Sequence, residues 1–437
     1  MTSSTPDTFA ETLLPPLLAF CERFHGALDD GHQVASPLGA WLLLALAATA
    51  TKGNDRDACA EVLGMDVDRA AMLAGRLLES PPAAVSSAAA IWTRPEFDTE
   101  RLAEWRVRQP QSVVRSHMPT QAEADEWTRN ATLDLIKAFP AAITAESAVV
   151  LVTVLAAKSK WMDAYHPASS KVLSRPGGGF SGKAAPSPWA SHVRRVLMSP
   201  QGSFQGIMRS GRAGNVAVHR MQTESGLVVT SVIAGRRVPR ADVLAVAHEI
   251  ATAGESRARE WISLFDLPLG HQELWSIEED TSTEPGRHEV LTSYLPAWEA
   301  ESSHDLLKMP LQLGAAAHAL NAMLNGTSLP SAARQVALAR YTRAGFEAAA
   351  ISLMIALGSS ASFAREPRGI MRRATLRFAH PFAVVAAVGR WKLAPEGHGE
   401  IRAFELGERL PVFSVWVTEP TEVERSDDDG DFVEEPS

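Results

Sequence analysis

The chain has 437 residues, of which 46% are hydrophobic and 21% charged, and this balance excludes a disordered polypeptide, a collagen-like repeat and a small disulfide-stapled scaffold. Its formal net charge of −9 is concentrated at the end, because residues 421–437 carry eight acidic side chains against Arg425, a local charge of −7. The rest of the chain is therefore only −2, which does not favour nucleic acid as a partner. We predict one domain over residues 8–420, followed by an acidic, disordered tail over residues 421–437.

Cysteine content and the first residues restrict the class of protein further. The two cysteines, Cys21 and Cys59, exclude a disulfide framework, and no CxxC or Cys/His spacing predicts a metal site. The first sixteen residues lack the basic and apolar segments of a secretory signal, and the apolar run Ala40–Ala50 is too short to span a bilayer. We expect a soluble monomer without cofactor or metal, not bound to a membrane and cytoplasmic by default.

The first predicted elements are helices. The first begins near Thr8 and is interrupted by Pro15-Pro16. The start of the second helix is marked by a serine hydroxyl followed by proline. Apolar residues occupy nearly every face of this helix, which is typical of a buried helix. The second and third helices are predicted from Ser36-Pro37 to Lys52-Gly53 and over Asp55–Leu63, the latter ending at Gly64.

Strands and helices are mixed along the rest of the chain. Ala88–Trp92 is a predicted strand and Thr120–Phe139 a long amphipathic helix, whereas Ala148–Ala157 is β-branched and apolar on both faces, as expected of a central strand. No regular βαβ repeat is present, so the predicted class is α+β. Later strands are predicted at Val216–His219, Gly226–Ala234, Val290–Leu295, Ala374–Phe378 and Ala383–Val388, and later helices at Ala241–Thr252, Arg257–Leu264 and Asp305–Leu313.

Two motifs resemble a nucleotide-binding or catalytic site but lack a required residue. Pro176–Lys183 has P-loop spacing, but Ala184 replaces the magnesium-binding Ser/Thr and the following prolines exclude a helix. His248-Glu249 begins a zinc-protease pair, but Thr252 occupies the place of the second histidine. No G-x-S-x-G motif occurs. The residues by themselves therefore predict no active site.

The segment Gly345–Phe363, GFEAAAISLMIALGSSASF, is unusually rich in small residues. Its Ala, Leu and Met content favours a core helix. The alternative is a small-residue run that leads into a polar loop, because serines and then several arginines follow it. Small side chains would let such a segment change its secondary structure at low cost.

Short motifs spread through the chain resemble the serpin family, the serine protease inhibitor superfamily, in their order and separations. The sequence is similar to a divergent, bacterial-type member over most of its length. The motifs are Ser36-Pro37-Leu38, Thr51-Lys52-Gly53-Asn54, Glu61-Val62-Leu63-Gly64, Val150-Leu151-Val152 with Lys158-Ser159-Lys160-Trp161, Leu295-Pro296, Glu301-Ser302-Ser303, Asp305-Leu306, Leu313-Gly314, Gly345 with Glu347 and Ala348-Ala349-Ala350, and His380-Pro381-Phe382.

The resemblance implies a fold and a mechanism. The fold is a single α+β domain with three β-sheets, eight or nine helices and an exposed reactive-centre loop. The implied function is inhibition of serine, or alternatively cysteine, endopeptidases as a suicide substrate, whose cut loop inserts into the central sheet; it is not an enzyme. The alternative is a non-inhibitory binding or carrier protein whose loop does not insert. The resemblance also admits an extracellular location.

The resemblance also assigns site residues. The reactive bond falls at Ser359-Ser360 with Leu357 close by, which suits a protease that accepts small or apolar residues. Alternative cleavage sites are Arg365, Arg368 and Arg372. The hinge, where insertion starts, is Gly345, Phe346, Glu347, Ala348, Ala349 and Ala350, and the residues under the centre and top of the central sheet are Ser36, Gly39, Thr153, Trp161 and Gln335.

Several of these positions depart from the family pattern. Phe346 stands where the family has a small residue, so we expect its ring to overpack the sheet and slow insertion. Arg343 and Ala344 replace acidic residues, and Thr153 and Gln335 replace an Asn and a His, for which a direct hydrogen bond between the two could compensate. These changes indicate a degraded hinge and favour the non-inhibitory alternative, whereas Gly345, Glu347 and the alanines favour inhibition.

Overall fold

The computed structural model describes residues 8–174, 187, 189, 193–201, 203–253, 261–324, 333–346, 369–389 and 409–420. Within these ranges eight α-helices occur, none of them long and apolar enough to cross a membrane. They are α1 (Thr8–Gly26), α2 (Pro37–Ala47), α3 (Gly53–Leu63), α4 (Val67–Glu79), α5 (Glu100–Arg108), α6 (Gln121–Ala131), α7 (Arg240–Thr252) and α8 (Leu313–Asn321).

The same ranges contain nineteen strands, which confirms the α+β class. They are β1 (Gln33–Ala35), β2 (Ser86–Thr93), β3 (Val114–His117), β4 (Val149–Ala156), β5 (Ser159–Lys160), β6 (His166–Ala168), β7 (Val196–Met198), β8 (Phe204–Ser210), β9 (Gly214–Gln222), β10 (Leu227–Ile233), β11 (Gly270–His271), β12 (Trp275–Ser282), β13 (Gly286–Pro296), β14 (Trp298–Asp305), β15 (Arg334–Tyr341), β16 (Gly345–Phe346), β17 (Gly369–Arg377), β18 (Phe382–Val388) and β19 (Leu410–Val417).

The first helices follow the capping signals of the sequence. The Ser36 hydroxyl accepts a hydrogen bond from the Gly39 N–H at 3.2 Å, and Pro37 occupies the first turn, where a missing N–H costs nothing. α3 ends at Gly64, whose φ of 71° is in the left-handed region that glycine adopts readily. Nearly every side chain of α2 is buried, and the largest apolar cluster of the described residues includes this helix.

Two helix predictions are wrong in their bounds. α6 begins at a Thr120–Glu123 capping box but stops at Ala131, and Leu133 and Asp134 both have positive φ, so the predicted continuation to Phe139 does not form. The predicted helix Asp305–Leu313 is instead the end of β14 and a short 3₁₀ turn, and α8 starts only at Leu313. The first half of the predicted helix Arg257–Leu264 lies outside the described residues, and the described half, from Trp261, is not α-helical: Trp261 forms a bridge to Met208 and Leu264 begins a 3₁₀ turn.

The described strands form four hydrogen-bonded sheets, two of which are halves of one split sheet. The chain passes from β4 to β5 through only two residues, yet these strands belong to different sheets, so the split runs beside β4. If these two halves are counted as one sheet, the described strands form the three predicted sheets. The strand orders are β1-β19-β18-β10-β9-β8, β11-β12-β17-β13-β7-β6, and for the two halves of the central sheet β14-β15-β16-β5 and β3-β2-β4.

Candidate functional site

A cleft divides the central sheet between β4 and β15. β4 pairs with β2 through eight residues, and β15 pairs with β14 through eight, but no described strand pairs with the facing edges of β4 and β15 except at Tyr341. The cleft has a cavity volume of about 280 Å³ and is lined mainly by apolar side chains. Among the described residues, the facing edges of its two sides therefore lack a strand partner beyond Tyr341, the arrangement that accepts an added strand.

β4 was predicted to be a buried central strand, and its position corrects that expectation. Seven of its eight residues are only half-buried, because one edge of the strand faces the cleft. Gly39, Ala40 and Leu43 of α2 also line the cleft, as does Phe139 from the segment after α6. The apolar side chains of β4 therefore help to line a cleft in which no described strand lies.

The two sides of the cleft are each hydrogen-bonded to the start of α2. The Thr153 hydroxyl of β4 donates to the Gly39 carbonyl at 3.0 Å. On β15, the Gln335 side chain accepts from the Ser36 N–H at 2.9 Å and donates to the Ser36 carbonyl at 2.8 Å. The direct bond considered between Thr153 and Gln335 is therefore replaced by separate bonds to one helix. A Cβ at residue 39 would lie 3.2 Å from the Ser36 hydroxyl, so glycine keeps this junction uncrowded.

One end of the cleft lies beside Tyr341 and is called the upper end. The two-residue strand β16 closes it. Gly345 and Phe346 pair with β5, and Phe346 also pairs with Tyr341 of β15. The turn between β15 and β16 is fixed by the Thr342 N–H, which donates to the Gly345 carbonyl at 3.0 Å. Trp161, the residue predicted for this end of the sheet, donates its indole N–H to the Thr342 carbonyl at 2.9 Å.

Phe346 is buried in this structure, at the start of the segment whose insertion its size is expected to slow. Its side chain is only 2% exposed and lines the cleft, with the ring centroid 6.5 Å from that of Trp161. Trp161 in turn contacts Tyr341 at 5.0 Å, and Tyr341 stacks on Trp298 at 5.6 Å. The phenyl ring therefore belongs to an aromatic cluster, and the chain enters the upper end of the cleft at Phe346.

Arg343, which stands where the family has an acidic residue, also has a structural partner. Its guanidinium donates to the Tyr165 carbonyl at 3.1 Å, and the Tyr165 N–H donates to the Arg343 carbonyl at 3.1 Å. The unusual residue therefore helps to hold the turn that precedes β16.

A buried polar network lies beside the aromatic cluster. The Tyr165 hydroxyl is hydrogen-bonded to the Tyr341 hydroxyl and lies 3.2 Å from Nδ1 of His219. Burial raises the pKa of Tyr165 and lowers the pKa of His219 to about 3, so all three groups are uncharged at neutral pH. Sequence analysis missed this network; a usable signal was that two of the chain's three tyrosines belong to it.

The remaining predicted site residues separate into two groups. Arg372 is in the middle of β17, hydrogen-bonded between β12 and β13 with a side chain 14% exposed, which contradicts its prediction as a cleavage site. The others lie outside the described residues: Glu347, Ala348, Ala349, Ala350, Leu357, Ser359, Ser360, Arg365 and Arg368. The tail over residues 421–437 also lies outside them.

The described residues contain no metal-binding cluster, and the zinc-protease-like pair does not form a site there. No group of three or more His, Cys, Asp or Glu side chains in this part of the chain could hold a metal ion. His248, from the zinc-protease-like pair, is buried, with Nδ1 2.8 Å from the Leu244 carbonyl. The cleft is thus the feature on which a function can be argued.

Comparison with known proteins finds a family model that matches part of the sequence and solved structures that share the fold of nearly the whole chain. The family model described as serpin (serine protease inhibitor) matches residues 19–172. No curated protein matches the chain.

Solved structures with the serpin fold resemble nearly the whole chain. Serpin48 of the insect Tenebrio molitor, described as a highly specific serpin, is 14% identical with a TM-score of 0.53, covering 96% of this chain and 100% of that one. Human thyroxine-binding globulin complexed with its hormone is 13% identical with a TM-score of 0.55, covering 95% and 99%. The thermophilic serpin tengpin in its native state is 10% identical with a TM-score of 0.57, covering 96% of each chain. At these identities the likeness establishes the fold alone.

Proposed function

We propose that this chain, which matches the serpin family model over residues 19–172 and shares the serpin fold, inhibits a serine endopeptidase as a suicide substrate. The protease cuts the segment that joins β16 to β17, and the freed strand enters the cleft between β4 and β15. The observation that supports this proposal most directly is the cleft itself, with two edges that lack a described strand partner along most of their length and with β16 at its upper end. A cysteine endopeptidase is the alternative target.

The register of β16 supports insertion because it predicts which residues would meet across the cleft. Phe346 is opposite Tyr341 of β15 and Ser159 of β5. Continued along β15, this antiparallel pairing puts Ala348 opposite Ala339 and Ser352 opposite Gln335. Continued from β5 along β4, it puts Ser352 opposite Thr153.

This register matches side-chain chemistry on the two sides. Residues two apart share one face of a strand, so Ala348, Ala350 and Ser352 would share the buried face of Phe346. Ser352 would be the polar residue of that face at the level where Thr153 and Gln335 bond to α2. The small residues of the segment therefore match the apolar part of the cleft, and its serine matches the polar part.

Insertion would be favourable for two physical reasons. A central strand satisfies backbone groups on both edges at once, whereas the edges of β4 and β15 now lack a described strand partner. It also removes the apolar lining of the cleft from water, at about 25 cal/mol per Å² of apolar surface. Both contributions are gained only after the segment is cut, so they can drive the distortion of an attached protease.

The direct test is to trap the covalent intermediate. The protein is mixed in turn with subtilisin, elastase, chymotrypsin and trypsin, and the products are boiled in detergent and separated by mass. We expect a band at the summed mass with at least one protease, and sequencing of the released peptide then gives the reactive bond. Cleavage within residues 347–368 by all four proteases, without any such band, would reject inhibition by insertion.

The second candidate function is a binding or carrier protein with the same fold, whose loop does not insert. The separate bonds of Thr153 and Gln335 to α2 favour it, because they hold each side of the cleft to the helix and not to its opposite side. Human thyroxine-binding globulin, a solved structure of similar fold, is complexed with a hormone. Cleavage without a trapped complex, and without a gain in thermal stability, is the outcome that this function predicts.

A further inference from the structure

Two arginines hold the C-terminal end of α7. One terminal nitrogen of Arg220, on β9, donates to the Ile250 carbonyl at 2.9 Å. One terminal nitrogen of Arg409, directly before β19, donates to the carbonyls of Ala251 at 3.2 Å and Ala253 at 3.4 Å. The last carbonyls of a helix have no partner within the helix itself. The two guanidinium groups therefore converge on one end of α7 from strands on opposite sides of β10 and β18.

The positive charge at this end of α7 is not balanced by the described residues. Arg409 is only 4% exposed, and Arg220 is half-buried. Burial and then the charge of Arg409 lower the pKa of Arg220 to about 9, and burial lowers the pKa of Arg409, yet both groups are charged at neutral pH. Among the described residues, no carboxylate forms an ion pair with either one. Since a helix C-terminus carries only about half a negative charge, a net charge of about +1.5 remains.

Each guanidinium group keeps a donor that a solute can reach. The Arg220 Nε donates to the Thr230 hydroxyl at 3.4 Å and one terminal nitrogen donates to α7, while the other terminal nitrogen has no bond to a described residue. The second terminal nitrogen of Arg409 is likewise unbonded within the described part of the chain. Neither of these two nitrogens is enclosed by the protein, so both are accessible to solvent.

An exposed aromatic ring borders the pair. Phe204 of β8 lies opposite Arg220 in the β8–β9 register, is 46% exposed, and has its ring centre 4.9 Å from the Arg220 guanidinium. The Trp261 ring contacts Phe204 edge-on at 4.9 Å and packs on Gly206, where a Cβ would lie 2.6 Å from the indole. Two cations and an apolar surface therefore lie side by side, and none of these residues lines the cleft.

We propose that Arg220 and Arg409 form a binding site for a phosphate group, supplied either by free phosphate or by a phosphate monoester. A phosphate group carries a charge of about −1.5 to −2 at neutral pH, which matches the net charge of the pair better than the single charge of a carboxylate. Its oxygens can accept from two guanidinium groups at once, the contact for which the planar fork of arginine is suited. In a monoester, the organic group would lie on the exposed Phe204 ring.

The test measures the binding of inorganic phosphate and of phenyl phosphate to the full-length chain by calorimetry, at neutral pH and constant ionic strength. Arg220→Gln and Arg409→Gln each remove one guanidinium, and Arg209→Gln, which changes an exposed arginine of β8, is the matched control. We expect the control to bind like the wild type and each of the two site variants to bind at least about tenfold more weakly. Equal affinity in all four proteins, or no binding to the wild type, would overturn the proposal.

Phe204→Ala distinguishes the two sources of the phosphate group. If phenyl phosphate binds at least about threefold more tightly than inorganic phosphate, and loses this advantage in Phe204→Ala, the ligand is a monoester with an aromatic body. If both probes bind the wild type equally, the ligand is free phosphate.

A second measurement uses only the wild-type chain, in case a site variant does not fold. The protein is treated with phenylglyoxal, which modifies arginine side chains, with and without phosphate, and the modified residues are located by mass spectrometry. Bound phosphate should slow the modification of Arg220 and Arg409 at least about threefold and leave Arg209 unchanged. Equal protection of all three arginines, or protection of none, would overturn the proposal. No step requires cleavage of the chain, so the result is independent of the proposed inhibition.

Discussion

At the residue scale, Gln335 and Thr153 contribute to stability through independent bonds to α2. Gln335→Leu leaves the Ser36 N–H without its partner and is expected to lower the free energy of unfolding by about 1–3 kcal/mol. Thr153→Val removes one bond to the Gly39 carbonyl and is expected to cost about 1 kcal/mol. Because the two side chains do not depend on each other, the losses in free energy of unfolding should add. In urea unfolding, the loss of the double variant should equal the sum of the two single losses within about 0.5 kcal/mol.

The control for this cycle is Thr153→Ser, which keeps the hydroxyl and should unfold close to the wild type. A coupling energy above about 1 kcal/mol between residues 153 and 335 would contradict separate bonding and restore the direct bond that the sequence suggested.

Phe346 gives a second residue-scale prediction, in the opposite direction from the sequence-based one. A small residue here was expected to speed insertion, but the buried ring packs on the aromatic cluster with Trp161. Phe346→Thr is therefore expected to lower the free energy of unfolding by about 2–4 kcal/mol and not to increase protease trapping. Urea unfolding and the trapping gel measure both effects, with Phe346→Leu as the milder control. Stronger trapping at unchanged stability would show that the ring obstructs insertion.

At the element scale, the register of β16 predicts which alanines tolerate a charge. Ala348 would face inward opposite Ala339, which is 2% exposed, whereas Ala349 would face outward. Ala348→Arg should therefore abolish the trapped complex and leave a simple substrate, while Ala349→Arg, the matched control, should retain it. Complex formation by both variants, or its loss in both, would contradict the continued register.

Local sequence signals predicted the elements correctly where residues adjacent in the sequence determine the helix cap or the burial of the segment. Ser36-Pro37 and Gly64 gave the start of α2 and the end of α3, and the β-branched run gave β4. The predicted helix Thr120–Phe139 failed because amphipathic spacing does not reveal the left-handed residues at 133 and 134.

The cleft itself had no local signal, because it depends on which strands fail to pair. β4 and β15 are about 180 residues apart in the sequence, and their separation is decided by long-range contacts with α2. The same holds for Arg372: a run of arginines indicated a solvated or cleavable loop, and only the pairing of β17 with β12 shows a buried structural role.

At the scale of the whole molecule, buried histidines predict acid sensitivity. Burial lowers the pKa of His219 to about 3 and that of His248 to about 4, below the ordinary value of 6.5. The unfolded chain therefore binds more protons than the folded one between pH 6.5 and about 4. Above pH 6.5 these histidines do not reduce the free energy of unfolding. As the pH falls from 6.5 to about 4, that free energy decreases by up to about 1.4 kcal/mol per pH unit for each histidine.

Urea unfolding at several pH values measures this dependence. His248→Gln, which cannot be protonated, should reduce the slope between pH 6.5 and 4 relative to the wild type. An unchanged slope in the His248 variant would show that this imidazole does not stay neutral in the folded protein.

The account as a whole depends on whether the cut segment enters the cleft, and a melting experiment tests this most directly. The protein is cut once within residues 347–368, the cut is verified by mass, and the melting temperatures of cut and intact protein are compared. Insertion pairs the edges of β4 and β15 and buries the cleft lining, so the melting temperature should rise by more than about 10 °C. An unchanged or lower melting temperature would contradict insertion and leave the binding function as the remaining candidate.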